Sequence, residues 1–142
     1  MIRVVFLLVG ILGAWSVQAA DSYVLAVTLS PAFCDNTPKW RNSVQCRERK
    51  ALNVHGLWPQ AQKRSEAEYC AGGALQLSLA QEKALNSIMP DKSQREYQWK
   101  KHGRCSGLSS ATYFDFLAKE FLEIRWPADL QTRGRDKVIE RK

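Results

Sequence analysis

Histidine occurs only twice in this 142-residue chain, at His55 and His102. Each is followed at once by glycine, in NVHGLWPQ around the first and YQWKKHGRC around the second. Two imidazoles make a minimal acid–base pair. Their ordinary pKa lies near neutrality, so one can take a proton while the other gives one in the same step. Lys101 immediately precedes His102. An ammonium group there can steady a doubly charged, phosphorane-like transition state. A substrate that carries its own nucleophile would then need neither a metal nor a protein nucleophile. Taken singly, each histidine reads more readily as a polar residue beside a turn glycine. The chemistry depends on the two meeting.

The elements that would bring them together can be read from patterning. ALNVH at 51–55 alternates, with Leu52 and Val54 on one face and Asn53 and His55 on the other. It predicts a half-buried strand with His55 on its polar side. SQREYQWKKHG predicts a helix capped by Ser93 and closed by Gly103. On that helix Gln98 and His102 lie four apart and share a face. Tyr97 stands four before Lys101. His102 would sit at the helix C-terminus, where the macrodipole favours its charged form while Lys101 opposes it.

Around these blocks, SYVLAVTLSP predicts a strand buried on both faces and ended by Pro31. Residues 32–50 and 59–74 read as loops. Ser78 could cap a helix through Met89, with Leu79, Leu85 and Ile88 as its apolar stripe and Pro90 as its stop. SSATYFDFLAKEFLEIRW is the strongest helix. Phe114, Leu117, Ala118, Phe121 and Leu122 line one side, Ser109 or Ser110 caps it, and Pro127 follows. Strands and helices without regular βαβ alternation suggest an α+β fold.

The N-terminus has the form of a secretory leader. Arg3 is a short basic region, residues 4–17 are almost wholly apolar or small, and Val17-Gln18-Ala19 suits cleavage after Ala19 or Ala20. The run is short for a membrane span, which needs about 20 residues. Residues 1–19 are therefore expected to be a signal peptide, with no membrane attachment after its removal. All four cysteines, Cys34, Cys46, Cys70 and Cys105, follow it. An even count in an exported chain predicts two disulfides and leaves their pairing open. Zinc is a poorer account, because no pair has CxxC spacing. The formal charge is +7. Much of it lies in the last ten residues, RGRDKVIERK, which read as solvated tail. Attraction to a polyanion is allowed by this charge but not specified by it.

HGLWP at 55–59 and QWKKHGRC at 98–105 resemble the two signature blocks of the ribonuclease T2 family. Their order and spacing, and the upstream SYVLAVTLSPAFC, are similar to its bacterial secreted members from about Ser22 to about Leu130. The resemblance implies an α+β fold with a mainly antiparallel sheet and packed helices. It implies cleavage of single-stranded RNA by transesterification through a 2′,3′-cyclic phosphate, with weak base preference and no cofactor or metal. His102 would be the base for the 2′-hydroxyl, His55 the acid for the 5′-oxygen, and Lys101 the transition-state cation. Trp58 matches an aromatic residue near a base-binding pocket, though a core role suits it equally. Tyr97 stands where many members have a phosphate-contacting histidine; a phenol can still donate a hydrogen bond. The implied disulfides are Cys34–Cys46 and Cys70–Cys105.

Two departures qualify the resemblance. Gln98 replaces the usual glutamate, keeping its shape without its charge. Family members usually continue past the helix near 110–126 with another helix, strands and a cysteine pair. Here QTRGRDKVIERK follows instead. The expected organisation is a signal peptide at 1–19, an incomplete ribonuclease T2-like domain at 20–130 with its C-terminal strands missing, and a basic tail at 131–142. A truncated or frameshifted gene product is the preferred explanation, ahead of a partial chain or a naturally minimal member. The expected protein is a periplasmic or secreted monomeric endoribonuclease. Its rivals are a catalytically weak or inactive RNA-binding remnant and a disulfide-stapled polyanion-binding or inhibitor-like protein.

Overall fold

The computed structural model describes residues 20–48, 50–60 and 68–131. The leader expected at 1–19 and nearly all of the tail expected at 131–142 lie outside these residues. Two strands, β1 (Ser22–Leu29) and β2 (Leu52–Gln60), pair antiparallel. Six helices accompany them among the described residues: α1 (Ser30–Asn36), α2 (Val44–Glu48), α3 (Leu79–Asn86), α4 (Lys92–Lys101), α5 (Ser110–Glu123) and α6 (Ala128–Gln131). The fold is α+β, as the mixed patterning predicts. None of these helices is long and apolar enough to cross a membrane.

The strand register explains the site. Ala26 stands opposite Gly56, but the next residue, Val27, stands opposite Val54. His55 is therefore the extra residue of a β-bulge, which bends a strand and re-aims a side chain. It also reverses the alternation of β2. Leu52 and Val54 belong to the core before the bulge, whereas Leu57 belongs to it afterwards. Strict alternation would put His55 and Trp58, three apart, on opposite faces. The bulge puts them on the same one, with ring centroids 6.0 Å apart.

The core joins Val54 and Leu57 of β2 to Leu85 of α3, Ile88 and Met89 beyond it, Trp99 of α4, and Tyr113, Phe114, Leu117 and Phe121 of α5. Tyr113 and Trp99 pack with centroids 5.6 Å apart, and the Tyr113 hydroxyl donates to the Leu57 carbonyl. Burying side chains of this size contributes about 1.5–3 kcal/mol each before entropy is counted.

Several local expectations are corrected. β1 is not buried on both faces, since Val24 and Leu29 are each 45% exposed. Among the described residues it has one neighbouring strand, and Tyr23, Leu25 and Val27 alone turn to the core. Pro31 stands in the first turn of α1, where its missing N–H costs nothing. Residues 32–50 hold α1, α2 and a 3-10 turn (Pro38–Trp40), with Cys34–Cys46 tying the two helices. The Asn53 side chain is buried and donates to Ser30 Oγ. β2 includes Pro59 and Gln60, where the patterning predicts a loop.

The helix boundaries also shift. Ser78 caps α3 through a reciprocal pair with Gln81, but the helix stops at Asn86. Leu79 is 86% exposed and outside the stripe; Met89 reaches the core from the turn. α4 starts after Asp91 instead of at Ser93. Asp91 spends its carboxylate on the N–H groups of Val44 and Gln45, at 2.9 and 3.3 Å. Gly103 does not close α4; a 3-10 turn (Gly103–Ser106) follows His102, and Gly107 takes the left-handed conformation. Ser109 caps α5. Ser110 exchanges hydrogen bonds with the Gln76 backbone instead. Leu122 is exposed, and Tyr113 takes its expected place inside.

Candidate active site

α4 and β2 build the site between them. Gln94, Gln98 and His102 recur at four-residue spacing, so they form one stripe along α4. That stripe meets the bulged face of β2. Gln98 is 2% exposed, and its Oε1 accepts a hydrogen bond from Trp58 Nε1 at 3.1 Å. The Trp58 ring neighbours both histidines, 6.0 Å from the His55 centroid and 5.5 Å from that of His102. A half-buried tryptophan of the first signature block thus touches Gln98 and His102 of the second.

The glycine after each histidine has a packing reason. A Cβ on Gly56 would fall 2.8 Å from Trp58 Nε1 and still nearer Gln98 Oε1. A Cβ on Gly103 would run into the Trp99 ring. Neither glycine has the positive φ of a turn position; only close approach demands it.

His55 is half-buried. Gln94 Nε2 donates to the His55 carbonyl at 3.1 Å and reaches ring Nδ1 at 3.4 Å. Thr28 Oγ1 is also 3.4 Å from Nδ1. Burial pushes the His55 pKa below its ordinary 6.5, and the positive charge of Lys101 pushes it further the same way. His102, the last residue of α4's hydrogen-bonded frame, is 2% exposed, and its N–H donates to the Gln98 carbonyl at 2.9 Å.

Lys101 is held by Glu68, whose Oε1 lies 2.8 Å from Nζ. The hydrogen bond to Glu68 raises the lysine pKa, so Lys101 is cationic across the neutral range. Tyr97 is half exposed, and its hydroxyl is 3.5 Å from that of Tyr69. Tyr69 has a left-handed φ of 56°, and its N–H donates to the Lys101 carbonyl at 2.7 Å. The adjoining Cys70–Cys105 disulfide fastens this strip to the turn after His102. The other pair, Cys34–Cys46, is also formed.

The structure therefore gathers His55, Trp58, Gln98, His102 and Lys101 at one place. Tyr97 stands beside them, toward Tyr69. Sequence reasoning missed Gln94, Thr28 and Glu68. Gln94 had a signal, its four-residue offset from Gln98. Glu68 and Thr28 had none, because only the folded chain brings them here.

The family profile of the ribonuclease T2 family matches residues 20–131. The chain belongs to the ribonuclease T2 family. Among curated relatives of this family member is a ribonuclease of Aeromonas hydrophila, 36% identical over 118 residues, covering 77% of this chain and 53% of the relative. A probable ribonuclease of Haemophilus influenzae is 31% identical over 132 residues, covering 84% and 48%. The chain thus spans about half the length of these relatives. Solved structures share the fold. An RNase-related protein from Calystegia sepium matches with a TM-score of 0.57 at 22% identity, over 75% of this chain and 61% of that one. Ribonuclease MC1 from bitter gourd seeds matches with a TM-score of 0.53 at 23% identity, over 69% and 55%.

Proposed function

We propose that this chain is an endoribonuclease that cleaves single-stranded RNA by His/His acid–base transesterification. The observation that carries the reading is Trp58 lying against both imidazoles, within 6.0 Å of each ring centroid. His102 removes the 2′-hydroxyl proton. The 2′-oxygen attacks phosphorus, forming the 2′,3′-cyclic phosphate. The bond to the 5′-oxygen breaks, and that oxygen takes a proton from His55. Lys101 stabilises the added negative charge on the phosphoryl oxygens. Its effect on the His55 pKa supports placing its charge within reach of the same phosphate.

RNA as substrate is supported by the relatives' names and by a structural neighbour, a mutant of RNase MC1 in complex with 5′-UMP. Trp58 and Tyr97 are the aromatic groups available to bases, with the weak preference that stacking gives. Export fits the two disulfides, which persist in oxidising compartments. The proposed working form is a monomer acting outside the cytoplasm, on residues of the 20–130 domain.

A second reading, binding without turnover, is favoured by the burial of His102 and by Glu68 holding Lys101. Oxidised protein incubated with RNA in EDTA separates the two. Cyclic-phosphate ends, lost in both His55→Ala and His102→Ala, are the expected result. RNA binding without cleavage would replace the enzyme reading with the second one.

A further inference from the structure

The contacts of the His55 ring carry a role for a residue outside both signature blocks. Gln94 stands one turn before Gln98 and reaches His55 twice. The contact at 3.1 Å is to the His55 backbone carbonyl. A carbonyl can only accept, so the NH2 end of the Gln94 amide must face it. That group has a second hydrogen, and ring Nδ1 lies 3.4 Å from the same nitrogen. An NH2 group cannot accept, so it favours an Nδ1 that carries a lone pair. A neutral imidazole with a bare Nδ1 holds its proton on Nε2.

Thr28 completes the arrangement. Its hydroxyl, 3.4 Å from Nδ1, can either donate or accept. Thr28 is thus the neighbour able to receive an Nδ1–H when the ring becomes charged. Resting on the reading of His55 as the acid, we propose that Gln94 is a positioning residue that selects the Nε2–H form of the neutral His55 ring and opposes protonation at Nδ1. The proton that charges the ring enters at Nδ1, where the contact passes from Gln94 to Thr28. The proton delivered to the 5′-oxygen leaves from Nε2. The ring is then neutral with its hydrogen on Nδ1, the form Gln94 disfavours, so proton loss from Nδ1 and regain at Nε2 resets it.

This role differs from filling space. A hydrocarbon of similar length would support the ring without choosing its protonation site. A carboxylate would choose the opposite one, because it accepts from Nδ1–H. The charge that acts on the His55 ring is that of Lys101, the last residue of α4, paired with Glu68; the His102 ring, just past α4, shares Trp58 with His55 as a neighbour. None of them is altered by substituting Gln94.

Long-range nitrogen–proton NMR of the oxidised full chain, without RNA, reads the state of each ring nitrogen through a pH titration. In the wild type, neutral His55 should show Nε2–H. Gln94→Met should mix the two neutral forms and raise the titration midpoint. Gln94→Glu should move the hydrogen to Nδ1 and raise the midpoint by about one pH unit or more. The His102 signals report whether each variant keeps the native fold. Neutral Nδ1–H in the wild type, or an unchanged Nε2–H form in a folded Gln94→Glu variant, overturns the proposal. These signals do not depend on RNA cleavage, so loss of the enzyme reading would be seen separately in the histidine-to-alanine assay.

Discussion

At the scale of single residues, the two His-Gly pairs turn out to be two packing solutions. In each pair the histidine is held on a surface that another side chain crosses at very short range. Gln98 and Trp58 lie against Gly56, and the Trp99 ring lies against Gly103. A methyl group added to such a place forces neighbours off their preferred positions, at a cost of about 1–3 kcal/mol. Gly56→Ala and Gly103→Ala should both lower the unfolding free energy measured in urea by that order. Gly73, where a Cβ would meet nothing within 4 Å, is the control. Gly73→Ala should fall within about 0.5 kcal/mol of wild type. Equal effects at all three positions would refute the packing account. Gly56→Ala should also disturb cleavage, because the side chains it displaces contact the site directly.

At the scale of elements, the site depends on α4 staying docked against both β2 and the strip beginning at Glu68. The Cys70–Cys105 bridge spans 35 residues of sequence, and Cys34–Cys46 spans 12. Chain entropy assigns the longer loop about 4 kcal/mol and the shorter about 3. The paired variant Cys70→Ser/Cys105→Ser should therefore lose more stability in urea than Cys34→Ser/Cys46→Ser. It should also lose cleavage where both variants remain folded by circular dichroism, because only it frees the Glu68–Tyr69 strip from Lys101. Equal residual activity would separate that strip from the site. The same elements show what can be read in advance. The stripe Gln98–His102, the Ser78 and Ser109 caps and the long amphipathic α5 each follow from spacing and cap chemistry. The bulge at His55 does not. One extra residue is invisible in the alternation of β2 alone and appears only against the register of β1. The helices α1 and α2 are also hidden. They have seven and five residues, too few to nucleate alone, and depend on the Cys34–Cys46 bridge and the Asp91 carboxylate.

At the scale of the whole molecule, the buried site links stability to pH. Burial of His55, and then the charge of Lys101, lowers its folded pKa below 6.5. The folded chain thus binds a proton at His55 less readily than the unfolded chain. The stabilisation is fully present above the unfolded value and is lost as pH falls through the lower folded value. Between about pH 8 and about pH 5, the urea midpoint of wild type should fall further than that of His55→Asn. Parallel falls would show that His55 takes no part in this linkage.

The ion pair between Glu68 and Lys101 has one more consequence. Before any RNA arrives, the lysine already has an anionic occupant, 2.8 Å away. For the proposed enzyme, substrate entry is then an exchange reaction at that nitrogen, phosphate in and carboxylate out. The measured affinity would report the difference between two anions rather than the full attraction of either.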